Sequence, residues 1–199
     1  MTLVAPPEHI TASRIFTERH TAYCFTSEPV TDDELAQVYE LAKFTPTAMN
    51  SQPLRITFVR TPEAKSRLLP LLAEFNRHKS ESAPVVAILA ADIDFHEHLP
   101  VVSPQSAGAR DRFEADDAMR EAFARNNAWL QAGGFILAVR SVGLDAGPMG
   151  GVDLAGLDRE FFPGTSMRSL MVVNIGHVAE DGTFPRNPRL AFDEAASLI

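Results

Sequence analysis

The sequence predicts one domain of α/β type, spanning residues 1–199, in which helices and strands share a single core. The chain has 199 residues, 45% of them hydrophobic and 22% charged, which is ordinary for a folded protein of one domain. Short apolar runs typical of strands alternate with amphipathic segments typical of helices. No repeat, linker or low-complexity stretch divides the chain.

Helices are predicted from capping signals and from apolar periodicity. Thr31 and Glu34 have the spacing of a capping box, and Pro62 suits a first helical position. The second half of a long predicted helix, Trp129–Val139, is apolar on every side, which suggests a buried central helix. The predicted helices are Thr31–Ala42, one opened by Pro62, one from about Asp116 to Val142, and Val152–Phe162 with Asp153 as its cap.

Strands are predicted from short runs rich in apolar and β-branched residues. Pro84–Ala91 is continuously apolar, as in a strand that is covered on both faces. Gly143–Pro148 is expected to turn, and the proline-containing tail from Gly182 to Ile199 is expected to wrap over a surface. The predicted strands are Arg55–Arg60, Pro84–Ala91 and Met171–Val178.

Charge, cysteine content and hydropathy indicate which partners and which cellular compartment to expect. A net charge of −8 disfavours binding to nucleic acid, which requires a basic surface. The single cysteine, Cys24, cannot form an internal disulfide, which fits a reducing, cytoplasmic compartment. Met1–Pro7 lacks the basic and apolar regions of a signal peptide, and no apolar run reaches membrane-spanning length.

The loop Thr45–Leu54 is the most informative local feature. It places small hydroxyls, two carboxamides and two prolines between a predicted helix and a predicted strand. Amides donate and accept hydrogen bonds at once, and prolines fix the backbone, so the loop could hold the polar edge of a flat heterocycle. An ordinary connector between helix and strand is the alternative, because the same residue types are common in turns.

Known nucleotide-binding and hydrolase motifs are missing. The sequence contains no G-x-G-x-x-G, no G-x-x-x-x-G-K-[ST] and no G-x-S-x-G. Gly147–Gly151 is rich in glycine, which would let backbone N–H groups approach a ligand closely. A turn between two helices is the alternative for that segment.

Two clusters of ionisable residues suggest further chemistry. Asp92, Asp94, His96 and His98 alternate, so an extended chain would place these potential metal ligands on one face, although a solvated strand end explains them equally well. No second ligand motif supports that cluster, so no metal is predicted. Basic residues near the two ends of the chain could instead converge on a phosphate, or form surface ion pairs. These are Arg14, Arg19, His20, Arg186 and Arg189.

The order of these segments resembles the FMN-dependent nitroreductase family over nearly the whole chain. The segments that carry the resemblance are Arg19–Phe25, Pro46–Pro53, Gly143–Asp153 and Pro185–Arg186. A closer likeness to the malonic semialdehyde reductase branch of pyrimidine degradation is carried by Asn76–Lys79, Phe95–Pro100, Gly147–Met149, Glu160–Thr165 and Phe184–Leu190. The resemblance implies an α+β fold, with a central, mostly antiparallel sheet flanked by helices, in an intertwined homodimer.

The resemblance also implies which residues bind FMN. Arg19, His20, Thr21 and Tyr23 occupy the positions that hold the phosphate and ribityl chain, although the family often has a basic residue in place of Tyr23. The loop with Thr47, Asn50 and Gln52 would line the flavin of the neighbouring subunit. Asn76 matches an asparagine at the polar edge of the ring, and a backbone N–H in Pro148-Met149-Gly150-Gly151 would meet flavin N5. Arg186 matches a cation on the phosphate, with Arg189 as a second one.

The implied activity needs no catalytic side chain, because the flavin itself carries the hydride. NADPH or NADH would reduce FMN, and malonic semialdehyde would be reduced to 3-hydroxypropanoate. The all-apolar helix Trp129–Val139 is the expected subunit interface. Alternatives are a general nitro- or quinone-reducing flavoenzyme, an enzyme acting on a specialised metabolite, a flavin-binding protein without turnover, and a metal-dependent enzyme using the Asp92–His98 cluster.

Overall fold

The computed structural model describes residues 11–199, and its strands form one antiparallel sheet. The spatial order is β1-β2-β4-β3, which confirms the expected α+β class. The strands are β1 (Leu54–Val59), β2 (Val85–Asp92), β3 (Asp145–Met149) and β4 (Met167–Gly176). Met1–Pro7, for which the sequence predicts no signal peptide, lies outside the described residues.

Helices cover both faces of this sheet. They are α1 (Asp32–Ala42), α2 (Pro62–Leu68), α3 (Glu74–Ser82), α4 (Leu99–Val102), α5 (Arg110–Glu114), α6 (Asp117–Ser141), α7 (Leu154–Phe161) and α8 (Phe192–Ala195). Short 3₁₀ turns occur at Ala48–Asn50, Leu69–Leu71, Phe95–His98 and Pro104–Ala109, and a π turn at Ser13–Thr17. Among the helices of residues 11–199, none is long and apolar enough to span a bilayer.

The predicted capping signals are confirmed. The Thr31 hydroxyl accepts a hydrogen bond from Glu34 N at 3.2 Å, and the Glu34 carboxylate accepts one from Thr31 N at 2.7 Å. Asp116 and Asp153 cap α6 and α7 in the same way, through the backbone N–H groups of Met119 and Gly156. Each cap satisfies a helix N–H group that has no partner within the helix.

Strand β2 is the centre of the core, and every one of its residues is buried. Its side chains alternate between two clusters, because successive residues of a strand point to opposite faces. Val85, Ala87 and Leu89 pack with α1 and α6, while Val86, Ile88 and Ala90 pack towards α2 and α7. This two-sided burial is what the continuous apolar run predicts.

Of the segment expected to turn at Gly143–Pro148, Gly143 does turn, with a φ of 94°, but the chain is strand β3 from Asp145 onward, so that part of the prediction is wrong. β3 pairs with β4 from Asp145↔Gly176 to Met149↔Val172 and forms an edge of the sheet. An edge strand tolerates Pro148, because one side of its backbone needs no partner. Helix α3 was not predicted from periodicity, and the tail contains the unpredicted helix α8.

Helix α6 is only partly buried within the chain, which corrects the expectation of a helix covered on all sides. Ala132, Phe135 and Val139 lie in the core, whereas Trp129 and Leu130 are 48% and 59% exposed. One stripe of α6 therefore packs on α1 and the sheet, and its apolar outer face is open in the single chain.

The two adjacent glycines of α6 provide a stability test. A Cβ at Gly134 would collide with the side chain of Thr45, whereas one at Gly133 would meet nothing within 4 Å. We expect Gly134→Ala to lower the free energy of unfolding by about 1–3 kcal/mol, because a packed contact is overfilled. Gly133→Ala should raise it by about 0.5–1 kcal/mol, because alanine favours the helix. Urea denaturation measures both, and equal effects would contradict the close approach.

Candidate functional site

A cavity of about 340 Å³ collects half of the residues predicted to bind the cofactor. Four segments that are distant in sequence form its walls: residues 21–23, helix α3, the end of β3 with the following loop, and the tail at Phe184. The lining residues are Thr21, Ala22, Tyr23, Phe75, Asn76, Lys79, Pro148, Met149, Gly150, Gly151 and Phe184. Its volume lies in the range of small-molecule pockets.

The loop after β3 contains two residues, Gly150 and Gly151, that line this cavity and whose backbone donors have no partner in the described part of the chain. Within residues 11–199, the N–H groups of Gly150 and Gly151 donate to no protein acceptor, although the carbonyl of Gly151 accepts from Ala73 N at 2.9 Å. A Cβ at Gly150 would meet nothing within 4 Å, so this side of the loop is open. At Gly151 it would press on Asn76 and Phe75, so the loop can approach α3 this closely only with glycine.

Helix α3 supplies the polar side chains of the cavity. Asn76 is 2% exposed, and its Nδ2 donates to the carbonyl of Gly151 at 3.1 Å. Lys79, one turn later, donates to Asn76 Oδ1 at 3.4 Å and lies over the Phe75 ring at 5.2 Å. Asn76 therefore holds the glycine loop against the helix and retains one N–H group, while Lys79 adds a positive charge.

The segment around Tyr23 is joined to the C-terminal tail. Ala22 forms a bridge with Thr183, and the rings of Tyr23 and Phe184 stack at 4.2 Å between centroids. The Tyr23 hydroxyl donates to the carbonyl of Asp181 at 2.5 Å, and His20 Nδ1 lies 3.1 Å from the carbonyl of Phe184. The paired rings form an aromatic wall of the cavity.

The predicted cations lie beside the cavity rather than in its lining. Arg186 Nη2 donates to the carbonyls of Thr17 and Arg19 at 2.6 and 2.7 Å, so the two ends of the chain do come together as the basic residues suggest. Arg189 donates only to carbonyls of its own tail among the described residues, those of Asn187 and Pro188.

The predicted loop residues Thr47, Asn50 and Gln52 lie elsewhere. None of them lines the cavity between α3 and Gly150; Gln52 instead lines a separate cavity of about 510 Å³ beside β1. Strands β1 and β3 are at opposite edges of the sheet, three strand spacings or about 14 Å apart. One chain therefore keeps the two predicted halves of the site separate.

The loop itself is strained. Met49, Asn50 and Gln52 have φ values of 57°, 50° and 45°, in the left-handed region that residues other than glycine rarely adopt. Such conformations persist only where surrounding contacts enforce them, and they are concentrated at functional sites. This strain supports the functional interpretation of the loop over that of a simple connector.

The alternating acids and histidines do not form a metal site on one face, which corrects that hypothesis. The chain leaves the strand after Asp92, and Phe95–His98 form a 3₁₀ turn. Asp92 pairs with Arg55 at 2.7 Å and accepts a hydrogen bond from Ser166 at 2.7 Å. These contacts give the carboxylate a structural role.

Buried His96 belongs to a different cluster, in which arginines neutralise the neighbouring carboxylates. Its Nε2 shares a hydrogen bond of 2.7 Å with Glu114, and this bond lowers the pKa of the Glu114 carboxyl. The hydrogen bonds from Arg110 lower the pKa of Glu97 in the same way. Although His96, Glu97 and Glu114 lie close enough to share an ion, arginine already balances the two carboxylates.

Two contributions to the cavity were missed or left open by the sequence analysis. Lys79 is the one charged residue among the described residues that line the cavity, and its place beside Asn76 depends on helix α3, which the sequence did not predict. Phe75 and Phe184 are wall residues that no polar motif marks. The cavity thus combines aromatic walls, free N–H donors and one cation, which suits a flat heteroaromatic ligand with anionic character.

Comparison with known proteins identifies the family of this chain. The model of the nitroreductase family matches residues 16–177. The chain belongs to the nitroreductase family. Arg186 and Arg189 lie beyond the matched region.

Nitroreductase-family relatives cover almost the whole chain. A protein of Leptothrix cholodnii, named as a proposed NADH dehydrogenase/NAD(P)H nitroreductase, is 51% identical over 187 residues, which cover 94% of this chain and 95% of that protein. A Streptomyces coelicolor protein of the same name is 54% identical over 181 residues, 91% of this chain and 90% of the relative.

A solved structure shows the same fold. It is a proposed nitroreductase of Exiguobacterium sibiricum in complex with FMN, with a TM-score of 0.82 and 20% identity, covering 98% of this chain and all of that one. At this identity the likeness concerns the nitroreductase fold alone.

Proposed function

We propose that this chain is an FMN-dependent oxidoreductase that takes electrons from NAD(P)H, with NADPH preferred, and reduces a small acceptor. The observation that carries the proposal is the cavity in which Gly150 and Gly151 present free N–H groups beside Lys79 and Asn76. The names of the relatives and the FMN of the Exiguobacterium structure support the same reductant and cofactor.

The residues in the cavity and beside it suit the two ends of FMN. Arg19, His20 and Thr21, with Arg186 from the tail, would hold the phosphate and ribityl chain, while Arg189 would be a second cation nearby. Tyr23 stacks on Phe184 and would contribute apolar surface. Asn76 has one N–H group to spare for the polar edge of the ring, and Pro148 and Met149 lead into the two glycines that carry the free donors.

The protein would stabilise the reduced cofactor through charge. When bound, FMN accepts hydride from NAD(P)H and passes it to the acceptor. Lys79 and the N–H groups of Gly150 and Gly151 would favour negative charge on the ring, and among the residues that the structure describes no carboxylate lines the cavity to oppose them. No side-chain acid or base is required for this hydride transfer.

A homodimer would complete the site. Thr47, Asn50 and Gln52 cannot join the cavity of their own chain, but they could line the one formed by a partner copy. Trp129 and Leu130 on α6, and Leu190 and Phe192 in the tail, are apolar and exposed in the single chain. Burial of such residues stabilises obligate dimers.

For the acceptor we propose malonic semialdehyde, reduced to 3-hydroxypropanoate. Its carboxylate requires a cation near the cofactor, and Asn76–Lys79 carries three candidates. Arg77 is engaged by the carbonyls of Leu72 and Pro70, and the His78 side chain is 93% exposed, so Lys79 is the one that faces the cavity. A general nitro- or quinone-reducing activity is the alternative, favoured by the names of the relatives.

Steady-state kinetics with different acceptors distinguish malonic semialdehyde reduction from general nitro or quinone reduction. With NADPH as reductant, malonic semialdehyde should have a higher kcat/KM than a nitroaromatic or a quinone. Lys79→Met should raise the KM for the aldehyde acid more than that for an uncharged quinone, because only the former loses an ion pair. If the protein reduces nitroaromatics rapidly but does not reduce malonic semialdehyde, the proposed acceptor is wrong. The proposal of an FMN-dependent oxidoreductase would still stand.

The phosphate contacts are tested by arginine variants. Arg19→Ala and Arg186→Ala should each weaken FMN binding by about 1.5–3 kcal/mol, or about tenfold to a hundredfold in Kd, because a charge-assisted hydrogen bond is lost. Fluorescence titration of apoprotein with FMN measures this. Arg159→Ala is the control, because that side chain is 73% exposed and lies outside the cavity. Unchanged affinity in both test variants would contradict the assignment.

The backbone donor is tested at Gly150. Gly150→Pro removes its N–H group, so we expect the rate of NADPH-dependent flavin reduction to fall by about tenfold or more. Gly150→Ala is the matched control, since a Cβ there meets open space and the donor is retained. Stopped-flow absorbance follows both variants. Equal rates in the two would exclude the main-chain contact.

A further inference from the structure

Two buried amides on α6 hold both ends of the strained loop. Asn127 Oδ1 accepts a hydrogen bond from Ala48 N at 2.7 Å, and Gln131 Oε1 accepts one from Leu54 N at 2.9 Å. The residues are 5% and 4% exposed and lie one helical turn apart, on the same side of α6. Both amide oxygens accept from backbone N–H groups of the loop, so each fixes the position of the main chain at one end of it.

Further contacts fix the loop between these anchors. Thr47 Oγ1 accepts from Gln52 N at 3.2 Å, and Asn50 Nδ2 donates to the carbonyl of Val102 at 2.7 Å. Thr45 packs on Gly134, one turn beyond Gln131 on the same helix. The left-handed residues Met49, Asn50 and Gln52 lie inside this frame, so their conformation depends on it.

We infer that Asn127 and Gln131 are positioning residues, which hold Thr47–Gln52 in the shape needed to contact the flavin bound by the partner subunit. This inference rests on the proposed function. Apolar side chains at these two positions would suit the surrounding core better, because burying an amide has a cost that only its hydrogen bonds offset. Retaining two amides therefore indicates that the loop geometry matters more than core packing alone.

The cleanest test is at Gln131. Within residues 11–199 its side chain makes one hydrogen bond, in which the oxygen accepts from Leu54 N. Gln131→Met keeps the volume and removes the acceptor, whereas Gln131→Glu retains an acceptor oxygen. Asn127→Leu removes the acceptor at the second anchor. Asn126→Leu is the control, because Asn126 is the exposed neighbour on the same helix.

Three measurements are made on the full-length protein: the Kd for FMN, amide hydrogen exchange over Thr45–Leu54, and the midpoint of urea denaturation. Gln131→Met and Asn127→Leu should raise the Kd by about fivefold to tenfold and speed exchange in the loop, while Gln131→Glu and Asn126→Leu stay near wild type. A merely structural role would shift the midpoint without changing the Kd, because a folded fraction near one leaves affinity unaltered.

The outcomes separate this inference from the proposed function. If the wild-type protein binds FMN and the methionine and leucine variants bind it equally well, the positioning role is wrong and the proposed function stands. Failure of the wild-type protein itself to bind FMN would overturn both.

Discussion

The pairing of β2 with β4 is the constraint on which the rest of the molecule depends. Both strands are buried almost throughout, and their contact makes them the two central strands of the sheet. β3 and β1 are thereby placed at opposite edges. The cavity lies at the end of β3 and the strained loop lies at the start of β1, so a single chain separates the two. If both segments contact one flavin, as proposed, the sheet order requires that they come from two copies of the chain.

The chemistry of the cavity follows from backbone more than from side chains. The glycine loop can lie against α3 because Gly151 has no Cβ to press on Asn76, and Asn76 in turn bonds the carbonyl of that glycine. In this arrangement the N–H groups of Gly150 and Gly151 donate to no acceptor within residues 11–199. Lys79 provides the accompanying charge, and the stacked rings of Tyr23 and Phe184 provide the apolar wall. Together these groups select for a planar ligand that can carry negative charge.

The sequence predicted correctly the helices and strands that are determined by interactions between residues close together in the chain. The capping box at Thr31 and the apolar run of β2 predict their structures because the deciding interactions lie within a few residues. Strand β3 was predicted as a turn, because its glycine and proline favour a turn and only pairing with β4 overrides them. The prediction that Asp92, Asp94, His96 and His98 share one face is wrong because it assumes an extended chain. Strand β2 ends at Asp92, and Phe95–His98 form a 3₁₀ turn, so the alternation of a strand does not continue.

The sequence predicted some residues of the candidate site and not others, again according to whether the deciding contacts are marked by a motif. The order of the motifs placed Thr21, Tyr23, Asn76 and the glycine loop in one site, and the structure brings them to one cavity. Asn127 and Gln131 could not be found this way, because a polar residue in an apolar helix gives no indication of which backbone it will meet. Their partners are 79 and 77 residues away in sequence, a separation that no local pattern encodes.

The most direct measurement of the central claim is the visible spectrum of the purified protein, recorded without oxygen before and after addition of NADPH. We expect the absorption bands of bound FMN, present on purification or after reconstitution, and their bleaching by NADPH. Flavin that stays oxidised would point to a binding protein without turnover. A colourless protein that takes up no added FMN would contradict the account.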